Sequence, residues 1–121
     1  MEEGKKVFIF DDNKELLELC TILLEEAGYQ IKTSTTSNNI LEQIASYQPD
    51  IIFMDNWLPD VSGIDATRQL KANEDLKDIP VIYFPANINV GALAPAAGAA
   101  DSLAPPFDIS SLEEMVRKYT Q

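Results

Sequence analysis

The chain has 121 residues, 45% of them hydrophobic and 24% charged, enough apolar material for one core and too little length for a second domain. Its 20 acidic residues outnumber 9 basic ones, and a net charge of −11 disfavours direct contact with nucleic-acid phosphates or anionic membrane surfaces. There is no histidine, which removes the commonest general base, the commonest metal ligand and every Ser/His or Cys/His nucleophile pair. Any chemistry must therefore run on carboxylates. The single Cys20 cannot form an internal disulfide and falls inside a helical pattern, so it reads as a small core residue in a reducing, cytoplasmic setting. The apolar run before Asp11 is only four residues, Val7 to Phe10, far short of a signal-peptide core or a membrane span.

In chain order, residues 5–10 are a short β-branched and aromatic run that stops at Asp11 and Asp12, which reads as a buried strand. From Asn13 to Ala27 the apolar positions Leu16, Leu17, Cys20, Leu23, Leu24 and Ala27 recur every three or four residues, and Gly28 supplies the stop of an amphipathic helix. Tyr29, Ile31 and Thr33 alternate as a second strand. Ile40, Leu41, Ile44 and Ala45 then mark a short helix ended by Pro49 and Asp50. Ile51 to Met54 is another continuous apolar run that stops at an aspartate, Asp55. After a loop holding Pro59 and Gly63, the residues Ile64, Ala66, Thr67 and Leu70 predict a third helix, and Pro80 to Phe84 predict a strand. Gly91, Pro95 and Gly98 interrupt an alanine-rich stretch and make 87–100 a poor helix. Ser102 to Ala104 predict a short fifth strand. Ile109, Leu112, Met115, Val116 and Tyr119 predict a closing helix, with Ser110 and Glu113 spaced as a capping box.

Strand and helix alternate about five times with short connections, so the expected class is α/β with a parallel sheet covered on both faces. Ligands of such sheets bind at the carboxyl ends of the strands, beside the point where strand order reverses. Asp11, Asp12 and Asp55 all stand at predicted strand ends. Two adjacent aspartates after a strand have a bland explanation, because Asp12 or Asn13 could simply cap the first helix. Three carboxylates brought together would raise each other's pKa unless a cation sat among them. Oxygen donors without His or Cys favour Mg2+ or Mn2+ over zinc or copper. The chemistry that follows is phosphoryl transfer to an aspartate nucleophile. A haloacid-dehalogenase-type phosphatase would want Asp-x-Asp after the first strand and a downstream lysine. Asp11-Asp12-Asn13 does not supply that pattern, and no enzymatic turnover is expected.

Phe8-Ile9-Phe10-Asp11-Asp12-Asn13, the run Ile51 to Pro59 followed by Gly63, Pro80-Val81-Ile82, and Gly98-Ala99-Ala100-Asp101 leading to Pro106-Phe107 together resemble the receiver domain of two-component response regulators, the single-domain chemotaxis-type regulators included. The resemblance runs over essentially all of residues 1–121, read as one domain. It implies a flavodoxin-like (βα)5 fold with strand order 2-1-3-4-5 and helices on both faces. By position, Asp55 corresponds to the phosphoacceptor, Asp12 to a direct Mg2+ ligand, Asp11 to a water-mediated one and the backbone carbonyl of Trp57 to a further ligand. The resemblance also implies a donor phosphohistidine on a histidine kinase or histidine phosphotransfer protein.

Three positions depart from that pattern. Pro85 replaces the Thr or Ser whose hydroxyl meets the phosphoryl group, Pro105 replaces the lysine that pairs with it, and Ser102 replaces the switch aromatic. Each lost phosphate contact corresponds to roughly 3 kcal/mol by analogy with an oxyanion-hole donor. No Lys or Arg occurs between Lys77 and Arg117, which leaves Lys14 as the one basic residue expected near the site. Between Ile79 and Phe107 the only charged residue is Asp101, and seven of the sixteen residues from Gly91 to Pro106 are alanine. An apolar surface over 87–107 would suit a homodimer contact. The competing reading is a phosphorylation-independent pseudo-receiver that acts as a protein interaction module.

Overall fold

The structure is a computed structural model and describes residues 5–54, 63–83, 101–102 and 109–120. In chain order these form β1 (Lys6–Phe10), α1 (Lys14–Glu26), β2 (Gln30–Ser34), α2 (Ile40–Tyr47), β3 (Ile51–Met54), α3 (Gly63–Lys71), β4 (Val81–Tyr83), β5 (Asp101–Ser102) and α4 (Ile109–Thr120). All the strand pairings are parallel, in the order β2-β1-β3-β4-β5. This is an α/β flavodoxin-like sheet with five strands and four helices among the described residues. The interrupted helix expected over 87–100 lies outside them, as does all of the apolar stretch 87–107 apart from Asp101 and Ser102.

The strands are continuously apolar because both faces of the sheet are covered. Side chains alternate across a strand, and the core splits accordingly. Phe8, Phe10, Ile52, Met54, Val81 and Tyr83 face α2 and α3, where they meet Ile40, Ile44, Ala66 and Leu70. Val7, Ile9, Ile51, Phe53 and Ile82 face α1 and α4, where they meet Leu17, Cys20, Leu24, Leu112 and Val116. Every one of these strand side chains is fully buried. The chain leaves β1 across one face to reach the edge strand β2, then returns across the other face through α2 to β3. Because consecutive crossovers keep one hand, that reversal of direction puts α1 and α2 on opposite faces. It also makes the β1–β3 boundary the topological switch point.

Several boundaries differ from the sequence reading. β2 starts at Gln30 rather than Tyr29, since Tyr29 is drawn into the core beside Leu24. β5 covers Asp101–Ser102, one residue earlier than predicted, in register with Ile82 and Tyr83. α4 begins at Ile109, and Glu113 accepts a hydrogen bond from Arg117 one turn on, at 3.2 Å. Asn39 and Gln48 flank α2 in the left-handed region, at φ 55° and 54°. No helix among the described residues is long and apolar enough to cross a membrane.

The 72–79 connection into β4 is closed by one side chain. Lys71 Nζ donates to the carbonyls of Lys77 at 2.9 Å and Ile79 at 2.8 Å, and burial lowers its pKa while Asp78 opposes the shift. Lys71→Met keeps the aliphatic stem but removes both donors. It should lower stability by about 1–2 kcal/mol, read as a shift of the urea midpoint with an unchanged slope.

Candidate functional site

The site is built where β1 and β3 end together. Phe10 and Met54 are register partners, so both strands deliver their next residues to the same edge of the sheet. Asp11 remains tied to that edge by its backbone, whose N–H donates to the Ser34 carbonyl at 3.1 Å and extends the β1–β2 ladder. Its side chain is 2% exposed, and Oδ1 accepts the Asn13 backbone N–H at 2.8 Å, an Asx turn that bends the chain out of the strand. The helix then starts on Asn13, which sits in the extended region at φ −90° and accepts the Leu16 N–H on Oδ1 at 3.2 Å.

This arrangement decides between the two readings of the Asp11-Asp12-Asn13 run. Asn13 satisfies the helix N-terminus, so neither aspartate is needed as a cap. Asp12 is exposed at the rim, and Asp11 is held beneath it. An ionised carboxylate this deeply buried requires compensation from donors or a cation.

Of the residues singled out from the sequence, Asp11 and Asp12 are brought together at the carboxyl edge. Asp55, Trp57, Pro85 and Pro105 lie outside the described residues. Among the described residues no group of three His, Cys, Asp or Glu side chains gathers to hold a metal. The donors that are described, two adjacent carboxylates at the switch point of a parallel sheet, fit a hard divalent cation such as Mg2+ and suit no softer metal. Lys14 lines an open groove of about 680 Å³ between α1 and β2, together with Leu17, Glu18, Thr21, Ile22 and Thr33 to Thr35. It thus stands on the β2 flank of β1, while β3 lies on the other flank.

Cys20 reports on the same corner. Burial pushes its thiol up to about 11, with the negative charge of Asp11 as the second cause. The thiol is therefore a neutral core group, as its place in the helical pattern predicts. One participant escapes the sequence reading. The Ser34 carbonyl is a backbone group and leaves no residue signature.

Comparison with known proteins gives one family. The family model for the response regulator receiver domain matches residues 7–117. The CAI-1 autoinducer sensor kinase/phosphatase CqsS of Vibrio cholerae is 29% identical over 107 residues, covering 86% of this chain and 16% of that protein. The polar-differentiation response regulator DivK of Brucella ovis is 38% identical over 78 residues, covering 64% of this chain and 63% of DivK. The chain thus spans less than two thirds of either relative's length. Among solved structures, the signal receiver domain of a signal transduction histidine kinase from Syntrophus aciditrophicus superposes with a TM-score of 0.86 at 25% identity, over 97% of this chain and 90% of that one.

Two outcomes test the local reading. Asn13→Ala should cost about 1 kcal/mol in chemical unfolding, the usual loss for an N-cap. Because the folded Cys20 pKa lies above that of a free thiol, the stability tied to its neutral form is complete below the free-thiol pKa and is lost as pH rises through about 11. Cys20→Ala should remove that component of the alkaline decline, on the order of 2 kcal/mol. Native protein at neutral pH should also resist thiol alkylation that proceeds after unfolding.

Proposed function

We propose, because the chain belongs to the response regulator receiver domain family of two-component signalling, that it accepts a phosphoryl group on Asp55. The observation that supports this best is the Phe10–Met54 register, since the segments carrying Asp12 and Asp55 leave neighbouring strands at one edge. In the step envisaged, a carboxylate oxygen of Asp55 attacks the phosphorus of a phosphohistidine. The P–N bond breaks, its electron pair leaves with the imidazole, and an aspartyl phosphate forms. The chain contains no histidine, so the donor is a histidine outside these 121 residues. A histidine kinase or histidine phosphotransfer protein is the partner class. CqsS, named as a sensor kinase/phosphatase, carries a segment that matches this chain, which fits that assignment.

Asp11, Asp12, Asp55 and the Trp57 backbone carbonyl would hold Mg2+, whose contribution when bound is to neutralise charge on the phosphoryl oxygens. The chain's own contribution at β1 is orientation. The Ser34 carbonyl fixes the Asp11 backbone and the Asn13 N–H fixes its carboxylate, while capping by Asn13 keeps Asp12 available at the rim.

A second reading has its own supporting observation. Pro85 and Pro105 stand where the family pattern has a hydroxyl and a lysine toward the phosphoryl group. Loss of both contacts would slow transfer by several orders of magnitude, at roughly 3 kcal/mol each. A phosphorylation-independent interaction module needs neither.

Incubation with acetyl phosphate and Mg2+, followed by peptide mapping in a mass spectrometer, separates the two. The receiver reading expects a slowly formed adduct on Asp55 that is absent in Asp55→Asn and absent after chelation of Mg2+. The interaction-module reading expects no adduct and equal partner binding by wild type and Asp55→Asn.

A further inference from the structure

β2 is the edge of the sheet, and among the described strands it pairs with β1 alone. Successive residues of a strand turn their backbone groups to opposite sides in the plane of the sheet. The Gln30 N–H donates to the Lys5 carbonyl at 2.9 Å, and the Ser34 carbonyl accepts the Asp11 N–H at 3.1 Å, so Gln30, Lys32 and Ser34 turn theirs to β1. The N–H and C=O groups of Ile31 and Thr33 therefore face the open edge. Such an edge is a template for a further strand.

Side chains decide which face of that edge can receive one. Lys32, the only charged residue of β2, turns to the α2 face, where its Nζ stands 6.0 Å from the centre of the Tyr47 ring. It leaves the α1 face without the charge that commonly blunts an edge. On that face Ile31 packs against the core, and the open groove of about 680 Å³ runs beside Thr33, lined from α1 by Leu17, Thr21 and Ile22. Leu19 and Ile22, one turn apart on α1, are the exposed large hydrophobics among the described residues, at 54% and 56%. A strand added to β2 would carry every second side chain over this groove and toward Ile22.

The charge around the groove selects the occupant. α1 exposes Glu15, Glu18, Glu25 and Glu26 against one cation, Lys14. An acidic flank on a chain of net charge −11 repels a second copy and draws in a basic partner. We propose that the β2 edge and the α1 groove form a docking site for an extended, basic segment of a partner protein. The segment pairs with the outward backbone groups of Ile31 and Thr33 and seats an apolar side chain on Ile22, with its basic side chains near the glutamates of α1. Nothing in this docking requires a phosphoryl group on Asp55.

The probe is a capped synthetic peptide that alternates valine with lysine, titrated against the whole chain and followed by calorimetry and amide hydrogen exchange. In the free protein the amides of Ile31 and Thr33 should exchange quickly while that of Lys32 is protected, and the peptide should then protect Ile31 and Thr33. Ile22→Ser, at an exposed position that leaves the core intact, should weaken binding about tenfold. Thr33→Pro removes an N–H that faces the open edge and none that faces β1, so it should fold and lose the binding. The same peptide N-methylated throughout keeps its charge and side chains but has no N–H to pair, and it should not bind. Nor should a peptide that alternates valine with glutamate. Unchanged exchange at Ile31 and Thr33, equal binding of either control peptide, or wild-type affinity in Ile22→Ser would each overturn the proposal. Protection of the two amides that grows with protein concentration alone would also overturn it, since a second copy would then be the occupant.

Discussion

Parallel pairing of β1 with β2 on one side and β3 on the other is the constraint on which the remaining structure depends. β1 is the strand from which the chain first departs, and its four core residues Val7 to Phe10 are buried on both faces. A strand covered this way must have a helix on each face, and the opposite directions of the two crossovers provide one each. The crevice at the β1–β3 boundary then follows from topology before any side chain is considered. What the sequence adds is charge at that point, placed where two apolar runs stop.

The chemistry of the corner rests on a division of labour among three consecutive residues. A helix that begins immediately after a strand needs an acceptor for its first N–H groups, and Asn13 provides it. A chain turning out of a strand needs a local acceptor, and one oxygen of Asp11 provides that. Asp12 is committed to neither task. A single carboxylate doing both jobs would have to trade capping against the turn, whereas here Asp12 stays exposed with neither task. Burial, and after it the nearby charge of Asp11, raise the Cys20 pKa in the core beneath.

Much of the fold was legible because continuous apolar runs and period-3.6 patterns were strong in the first two thirds of the chain. The run Leu17, Cys20, Leu24 predicted the buried stripe of α1, and Ile40 and Ile44 that of α2. Asp11 and Asp12 were legible as strand-end carboxylates, and the structure places them at the carboxyl edge of β1. The choice between Asp12 and Asn13 as the cap was not legible, because both residue types cap equally well. It was settled by Asn13 Oδ1 taking the Leu16 N–H while Asp11 Oδ1 takes the Asn13 N–H, a choice of partners that residue identity does not encode. The partner that Glu113 takes, Arg117 one turn on, was not part of the sequence reading. The Tyr29 position was overridden by tertiary packing against Leu24, which moved the start of β2. Asp55, Trp57, Pro85 and Pro105, on which the acceptor reading and its difficulty both turn, are known from the sequence and the family match alone.

The central claim is that carboxylates delivered by β1 and β3 form one cation-binding corner. A Mg2+ titration followed by backbone amide NMR addresses it most directly. The account predicts saturable shifts concentrated on residues 10–14 and 54–58, lost in Asp12→Asn, with the amides of α2 and of the 72–79 connection undisturbed. An absence of saturable shifts, or shifts scattered over the acidic surface and unchanged in Asp12→Asn, would contradict it.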